Sequence, residues 1–152
     1  MAERHTLRTD GGARGNPGPA GAGFVLEDAD GTIVRSGGRF LGSATNNVAE
    51  YEALLWGLAT ALDHGVRDLR VCADSELVVK QLLGAYRVKN EGLKPLYGRA
   101  KELLAKFGSV QITHVRREMN QAADALCNVA MDERRTVGDG VDPDAGTQTP
   151  LF

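Results

Sequence analysis

Four acidic residues, Asp10, Glu50, Asp74 and Asp124, stand where a solvated acid is not expected. Asp10 interrupts a strand-like run and precedes a glycine turn, Thr9-Asp10-Gly11-Gly12. Glu50 heads the apolar stripe of a helix, Asp74 ends a short apolar strand, and Asp124 lies in an Ala-rich helix. Acids this far apart in sequence meet only through the fold. A cluster of carboxylates suits a hard divalent cation, which prefers carboxylate and water oxygens. Plainer readings exist for two of them. Glu50 also suits the helix dipole, worth ~0.3–1 kcal/mol at an N-terminus. Asp74 also suits an N-cap.

The elements that must bring these acids together follow from periodicity and turn residues. His5 to Asp10 reads as a strand, and the Gly/Pro run from Arg14 to Pro19 as a loop. Ala20 to Glu27 and Thr32 to Leu41 are strands joined by the turn Asp28-Ala29-Asp30-Gly31, completing an antiparallel meander. Asn46 or Asn47 is expected to cap a helix running to about His64, closed by Gly65. Its apolar stripe is Ala53, Leu54, Gly57, Leu58, Ala61 and Leu62, with Glu50 at its head. Leu69 to Ala73 is a strand, followed by Asp74-Ser75 and a helix to about Leu83. A helix leading into a sheet strand indicates a parallel crossover. Open α/β sheets place ligands at the carboxyl ends of such strands. A helix over Lys94 to Phe107, a strand over Val110 to Val115 and a helix over Met119 to Met131 complete the set. From residue 133 to 152 the chain turns rich in Gly, Asp, Pro and Thr and is expected to be a disordered tail or linker. Residues 1–132 are then one domain.

Bulk properties narrow the function. The 152 residues carry a net charge of −2, so bulk cationic attraction to nucleic acid is excluded. A polyanion must be held by a local patch, by backbone amides or through metal. No apolar run reaches the ~20 residues of a membrane span, and Met1 to His5 lacks a signal-peptide apolar region. Cys72 and Cys127 form no close-spaced pair and read as packed, reduced thiols of a cytoplasmic protein.

The element order β-β-β-α-β-α-α-β-α, with acids at those four points, resembles type 1 ribonuclease H. The resemblance is carried by the run from Thr9 to Pro19, by Thr45-Asn46-Asn47-Val48-Ala49-Glu50, by Ala73-Asp74-Ser75, and by His114 to Asn120 with Ala123-Asp124. It covers about residues 5 to 132. It implies an α/β ribonuclease H-like fold, with a mixed five-stranded sheet (meander plus parallel strands) flanked by helices. It implies an endoribonuclease that cleaves the RNA strand of RNA/DNA hybrids, leaving 5′-phosphate and 3′-hydroxyl ends. Asp10, Glu50, Asp74 and Asp124 would hold two Mg²⁺ ions, with Mn²⁺ as a substitute. Asn16 and Thr45 would contact the DNA phosphate, Asn46 and Asn47 the minor-groove edges and sugars, and backbone around Gly12 and Ala13 the RNA. Helix capping is the plainer role for the two asparagines.

The chain departs from the family pattern in three places. The flexible loop with a histidine before the last acid is missing, and Arg117 is the substitute cation expected there. His114 reads as a packed strand histidine. The basic protrusion is reduced to Arg87, Lys89 and Lys94 with Tyr86, so hybrid binding is expected to be salt-sensitive. Glu76 stands where many relatives carry a glutamine. A monomer is expected, with a fused C-terminal domain compatible with the tail composition. Two other readings share the fold: a non-catalytic nucleic-acid-binding module and a DNA-acting nuclease.

Overall fold

The structure, a computed structural model, describes residues 3–143. Its first three strands, β1 (Arg4–Ala13), β2 (Gly18–Glu27) and β3 (Ile33–Ala44), form the antiparallel meander. Helix α1 (Asn46–Asp63) leads to β4 (Asp68–Ala73), then α2 (Glu76–Leu82), α3 (Lys94–Leu104) and β5 (Ser109–His114). A 3₁₀ turn over Arg117–Met119 precedes α4 (Gln121–Glu133) and the two-residue strand β6 (Val137–Gly138). The sheet order is β5-β4-β1-β2-β3-β6, with β1, β4 and β5 mutually parallel. No helix among the described residues is long and apolar enough to cross a membrane.

The sheet has six strands where five were expected, because the segment assigned to a tail is folded back over residues 133–143. Here β6 pairs with β3 at Gly37 and Gly38. The Asp139 carboxylate accepts the Ser36 N–H at 2.9 Å and Arg35 Nε at 3.1 Å. The Val141 N–H donates to Thr60 Oγ1 at 2.9 Å, and Arg99 Nη2 donates to the Pro143 carbonyl at 2.9 Å. This strap rounds the β3 edge from α4, crosses α1 and reaches α3. Backbone and charged contacts hold it, so it leaves no apolar period in the sequence. Residues 144–152 of the expected tail lie outside the described residues.

Helix α1 packs on one face of the sheet around Leu7, Phe24, Leu26, Leu54, Leu58, Leu69 and Val71. Thr45 caps it, taking the Val48 N–H on its hydroxyl at 3.2 Å, so neither Asn46 nor Asn47 is the cap. Its C-terminus closes as expected. Gly65 has φ of 88°, its N–H bonds the Leu62 carbonyl, and the Val66 N–H bonds the Ala61 carbonyl. The helix is buried on nearly every side from Ala53 to Ala61, wider than the expected stripe, because the strap covers its outer flank. Trp56 lies there, 1% exposed, edge-on to Phe24 and beneath Gly140. Helix α4 lies on the opposite face, over β2 and β3.

Glycines set how closely both helices approach. A Cβ on Gly11 would stand 2.2 Å from the Ala49 carbonyl oxygen, and one on Gly23 2.2 Å from that of Ala123. Gly11 and Gly12 therefore do not turn the chain after Asp10. They stay extended, paired with Ala22 and Gly21, and the missing side chain of Gly11 admits the α1 backbone.

Candidate metal centre and active site

The parallel pairing of β1 with β4 ends at Thr9 and Ala73. Asp10 and Asp74 are the next residues on each strand, so register alone makes them neighbours at the carboxyl end of β4. Glu50 descends from α1, whose backbone Gly11 admits. Asp124, in the first turn of α4, comes from the other face, over Gly23, the residue paired with Asp10. One carboxylate oxygen from each of Asp10, Glu50 and Asp74 lies within 4.8 Å of the others. Asp124 stands beside this triad, its Oδ1 3.4 Å from Arg117 Nη2 and its Oδ2 accepting Asn128 Nδ2 at 3.3 Å.

The electrostatics are those of crowded acids. Burial, then a hydrogen bond with Asp124 and the charges of Asp74 and Asp124, push Asp10 from 3.8 to about 8. Burial, then the charges of Asp74 and Asp10, hold Glu50 well above its ordinary value. Burial also raises Asp74. Arg117 opposes all three shifts but is exposed to solvent, its own pKa raised first by the Asp124 charge. Asp74 Oδ1 is buried without a hydrogen-bond partner. An orphaned carboxylate oxygen inside a cluster of raised acids is a donor set that fits a divalent cation.

The acids line a cleft of about 700 Å³, large enough for part of a polymer backbone as well as ions. Gly12, Ala13 and Asn46 are on its wall. Asn46 Oδ1 accepts the Ala13 N–H at 2.8 Å, and the Asn46 N–H donates to Asn16 Oδ1 at 3.0 Å. Asn16 and Asn46 are thus brought together, bracing the β1–β2 loop against the start of α1. Thr45 is occupied as the cap, and Asn47 is exposed beside it. Arg117 is on the cleft wall, exposed to solvent.

His114 is not packed. It is exposed on the cleft wall, its Nε2 3.3 Å from the Asp74 carbonyl, because β5 is an edge strand that ends there. Asn128 was missed in the sequence, although its i+4 spacing from Asp124 on one helix face signals it. Cys127 is buried in the cleft floor with its thiol pushed up to about 12, chiefly by burial, and Cys72 is likewise a buried free thiol. Glu76 turns to Lys80 at 2.8 Å.

A family model described as "Reverse transcriptase-like" matches residues 8–130. The chain is 50% identical over 124 residues to Ribonuclease HI of Halobacterium salinarum, covering 82% of this chain and 62% of that protein. The crystal structure of RNase H1 from the same archaeon superposes with a TM-score of 0.83 at 48% identity, covering 86% of this chain and 98% of that one. The Bifunctional protein Rv2228c of Mycobacterium tuberculosis is 44% identical over 127 residues, 83% of this chain and 35% of that protein. The crystal structure of LC11-RNase H1 in complex with an RNA/DNA hybrid matches with a TM-score of 0.82 at 38% identity, covering 86% of this chain and 98% of that one. The chain thus spans under two thirds of the first two proteins' own length.

Proposed function

The chain belongs to the type 1 ribonuclease H family, and from that premise we propose that it is a metal-dependent endoribonuclease cutting the RNA strand of RNA/DNA hybrids. The observation that carries this reading is the convergence of Asp10, Glu50 and Asp74 within 4.8 Å, with Asp124 beside them. The hybrid bound to LC11-RNase H1 supports the choice of substrate. Asp10, Glu50, Asp74 and Asp124 would hold two Mg²⁺ ions, with Mn²⁺ able to substitute. When bound, the cations polarise the scissile phosphate, acidify the attacking water and offset charge on the leaving oxygen.

The chain's own residues do the rest. Asp10 is the centre of the set, because the other three acids reach it from β4, α1 and α4. Gly12 and Ala13 offer a wall without side-chain bulk, where RNA approaches and its 2′-hydroxyl is distinguished from DNA. Asn46 and Asn47 face the minor groove, while Asn16 and Thr45 stand at the DNA phosphate. Arg117 meets the charge of the cut strand at the rim. In the reaction the water oxygen bonds to phosphorus as the P–O3′ bond breaks. The 3′ oxygen takes a proton, giving 5′-phosphate and 3′-hydroxyl ends. The protein works as a monomer, and the bifunctional mycobacterial relative supports a further domain in the native chain.

The test is cleavage of a labelled RNA/DNA hybrid with Mg²⁺ or Mn²⁺, beside EDTA, RNA/RNA and DNA/DNA controls. Metal-dependent cutting of the hybrid's RNA strand alone is expected. Folded protein that binds hybrid without cutting it would reduce the chain to a binding module, and cutting of duplex DNA would make it a DNA nuclease.

A further inference from the structure

Asn120 occupies the N-cap position of α4. Asparagine is among the strongest N-caps, because its side-chain oxygen takes a first-turn N–H. This asparagine makes no capping bond. It is fully buried, and its Nδ2 donates instead to the Thr9 carbonyl at 2.5 Å, across 111 residues of chain. That carbonyl belongs to the peptide joining Thr9 to Asp10. The carbonyl of Asn120 in turn accepts the Asp124 N–H at 3.0 Å. Two hydrogen bonds through one residue therefore run from the peptide of Asp10 to the peptide of Asp124. A second tie lies one residue further out on each side, where Arg8 Nη1 donates to the Met119 carbonyl at 3.0 Å.

The arrangement gives up local stability. Asn120 Oδ1 is buried without a partner, which costs the fold the desolvation of that oxygen. A residue that abandons its preferred local bond for a distant one marks a site where geometry matters more than stability. Asp10 and Asp124 repel as carboxylates, and α4 rests on Gly21 and Gly23, where no β2 side chain blocks its sliding.

We infer that Asn120 is a positioning residue that fixes the spacing of Asp10 and Asp124 and thereby the metal affinity of the centre. The inference rests on the ribonuclease H reading for what the centre does. Its geometry is independent of substrate. Asn120 acts only through Thr9 and Asp124.

Titration calorimetry of the full chain with Mg²⁺ alone, without nucleic acid, tests it. Asn120→Ala is expected to weaken binding roughly tenfold, the scale seen when a group that only orients a metal ligand is removed. The metal concentration for half-maximal hybrid cleavage rises by the same factor, while KM for hybrid at saturating metal stays within about twofold. Thr60→Val removes one buried and one part-buried hydrogen bond far along α1. It is expected to lower Tm comparably without changing metal affinity. Wild-type affinity in Asn120→Ala, or an equal loss in Thr60→Val, overturns the inference. Should Asn120→Ala not fold, Arg8→Met breaks the outer tie and is expected to weaken Mg²⁺ binding less but in the same direction. Unchanged affinity in folded Arg8→Met then overturns it. A wild-type protein that binds Mg²⁺ yet leaves hybrid uncut removes the nuclease reading alone, since the calorimetric comparison contains no substrate.

Discussion

The charge of Asp10 has consequences that can be measured without substrate. Its carboxyl is raised from 3.8 to about 8 in the metal-free protein. A carboxyl raised on folding favours the folded state while protonated. That contribution is full below about pH 4 and fades as pH climbs through about 8. The metal-free protein is therefore expected to melt higher at pH 5.5 than at pH 8, and added Mg²⁺ should lift the pH 8 value. A melting point that instead falls on acidification across this range contradicts the crowded-acid site. Asp10→Asn removes the central charge. It should cut hybrid cleavage by more than ~100-fold, since groups that merely orient a metal ligand already cost 10–100-fold. Above about pH 8, where Asp10 is charged, it should also raise the metal-free Tm, by roughly 2–4 °C for each kcal/mol of repulsion relieved. Retained cleavage would mean the metal centre is misassigned. These acids were legible in the sequence because each sat in an apolar or strand-end context that disfavours a charge. His114 was not, because alternation along β5 cannot tell which edge of the sheet it belongs to. Asn120 was not, because an asparagine before a helix reads as an ordinary cap.

At the scale of elements, the order of strands and helices was legible from period and turn residues. The close approach of helices to the sheet was not. A glycine after Asp10 suggests a turn in sequence, and only the pairing of Gly11 with Ala22 reveals a seat for α1. The corresponding seat for α4 is Gly23, and it makes a clean experiment. Gly23→Ala should destabilise the fold by ~1–3 kcal/mol, the range for overpacking, because its Cβ meets helix backbone instead of a yielding side chain. The same variant should weaken Mg²⁺ binding by lifting Asp124 from Asp10. Normal stability and affinity together would show that α4 has room to spare. The strap escaped the sequence reading for a related reason, since its hold is polar. Asp139→Ala removes the acceptor for the Ser36 N–H and a partner of Arg35. It should loosen the strap at about 1 kcal/mol and red-shift the emission of Trp56, the chain's one tryptophan. An unshifted spectrum would mean the strap stays docked without that clip.

For the whole molecule, a net charge of −2 offers no bulk cationic attraction to a polyanion, so on the proposed reading hybrid binding falls to the cleft. The reduced region after α2 agrees with this. Lys80 is engaged by Glu76 and stacks over Tyr86, and Lys94 pairs with Glu91. The strap adds a matter of attachment. It ties the chain to α1 at Thr60, ten residues beyond Glu50 and so ~15 Å along the helix from the acids. It then brings Pro143 to α3. The described chain therefore leaves α4 along the far end of α1 and ends against α3. A bulky fluorescent protein fused after Phe152 should leave the cleavage rate within about twofold, since the strap's hold at Thr60 lies beyond the Debye length of ~8 Å from the acids. A strong loss of rate would place that attachment nearer the substrate path. With the rate unchanged, an attachment at this end is exchangeable without touching the acids, as a tool handle is changed without regrinding the blade.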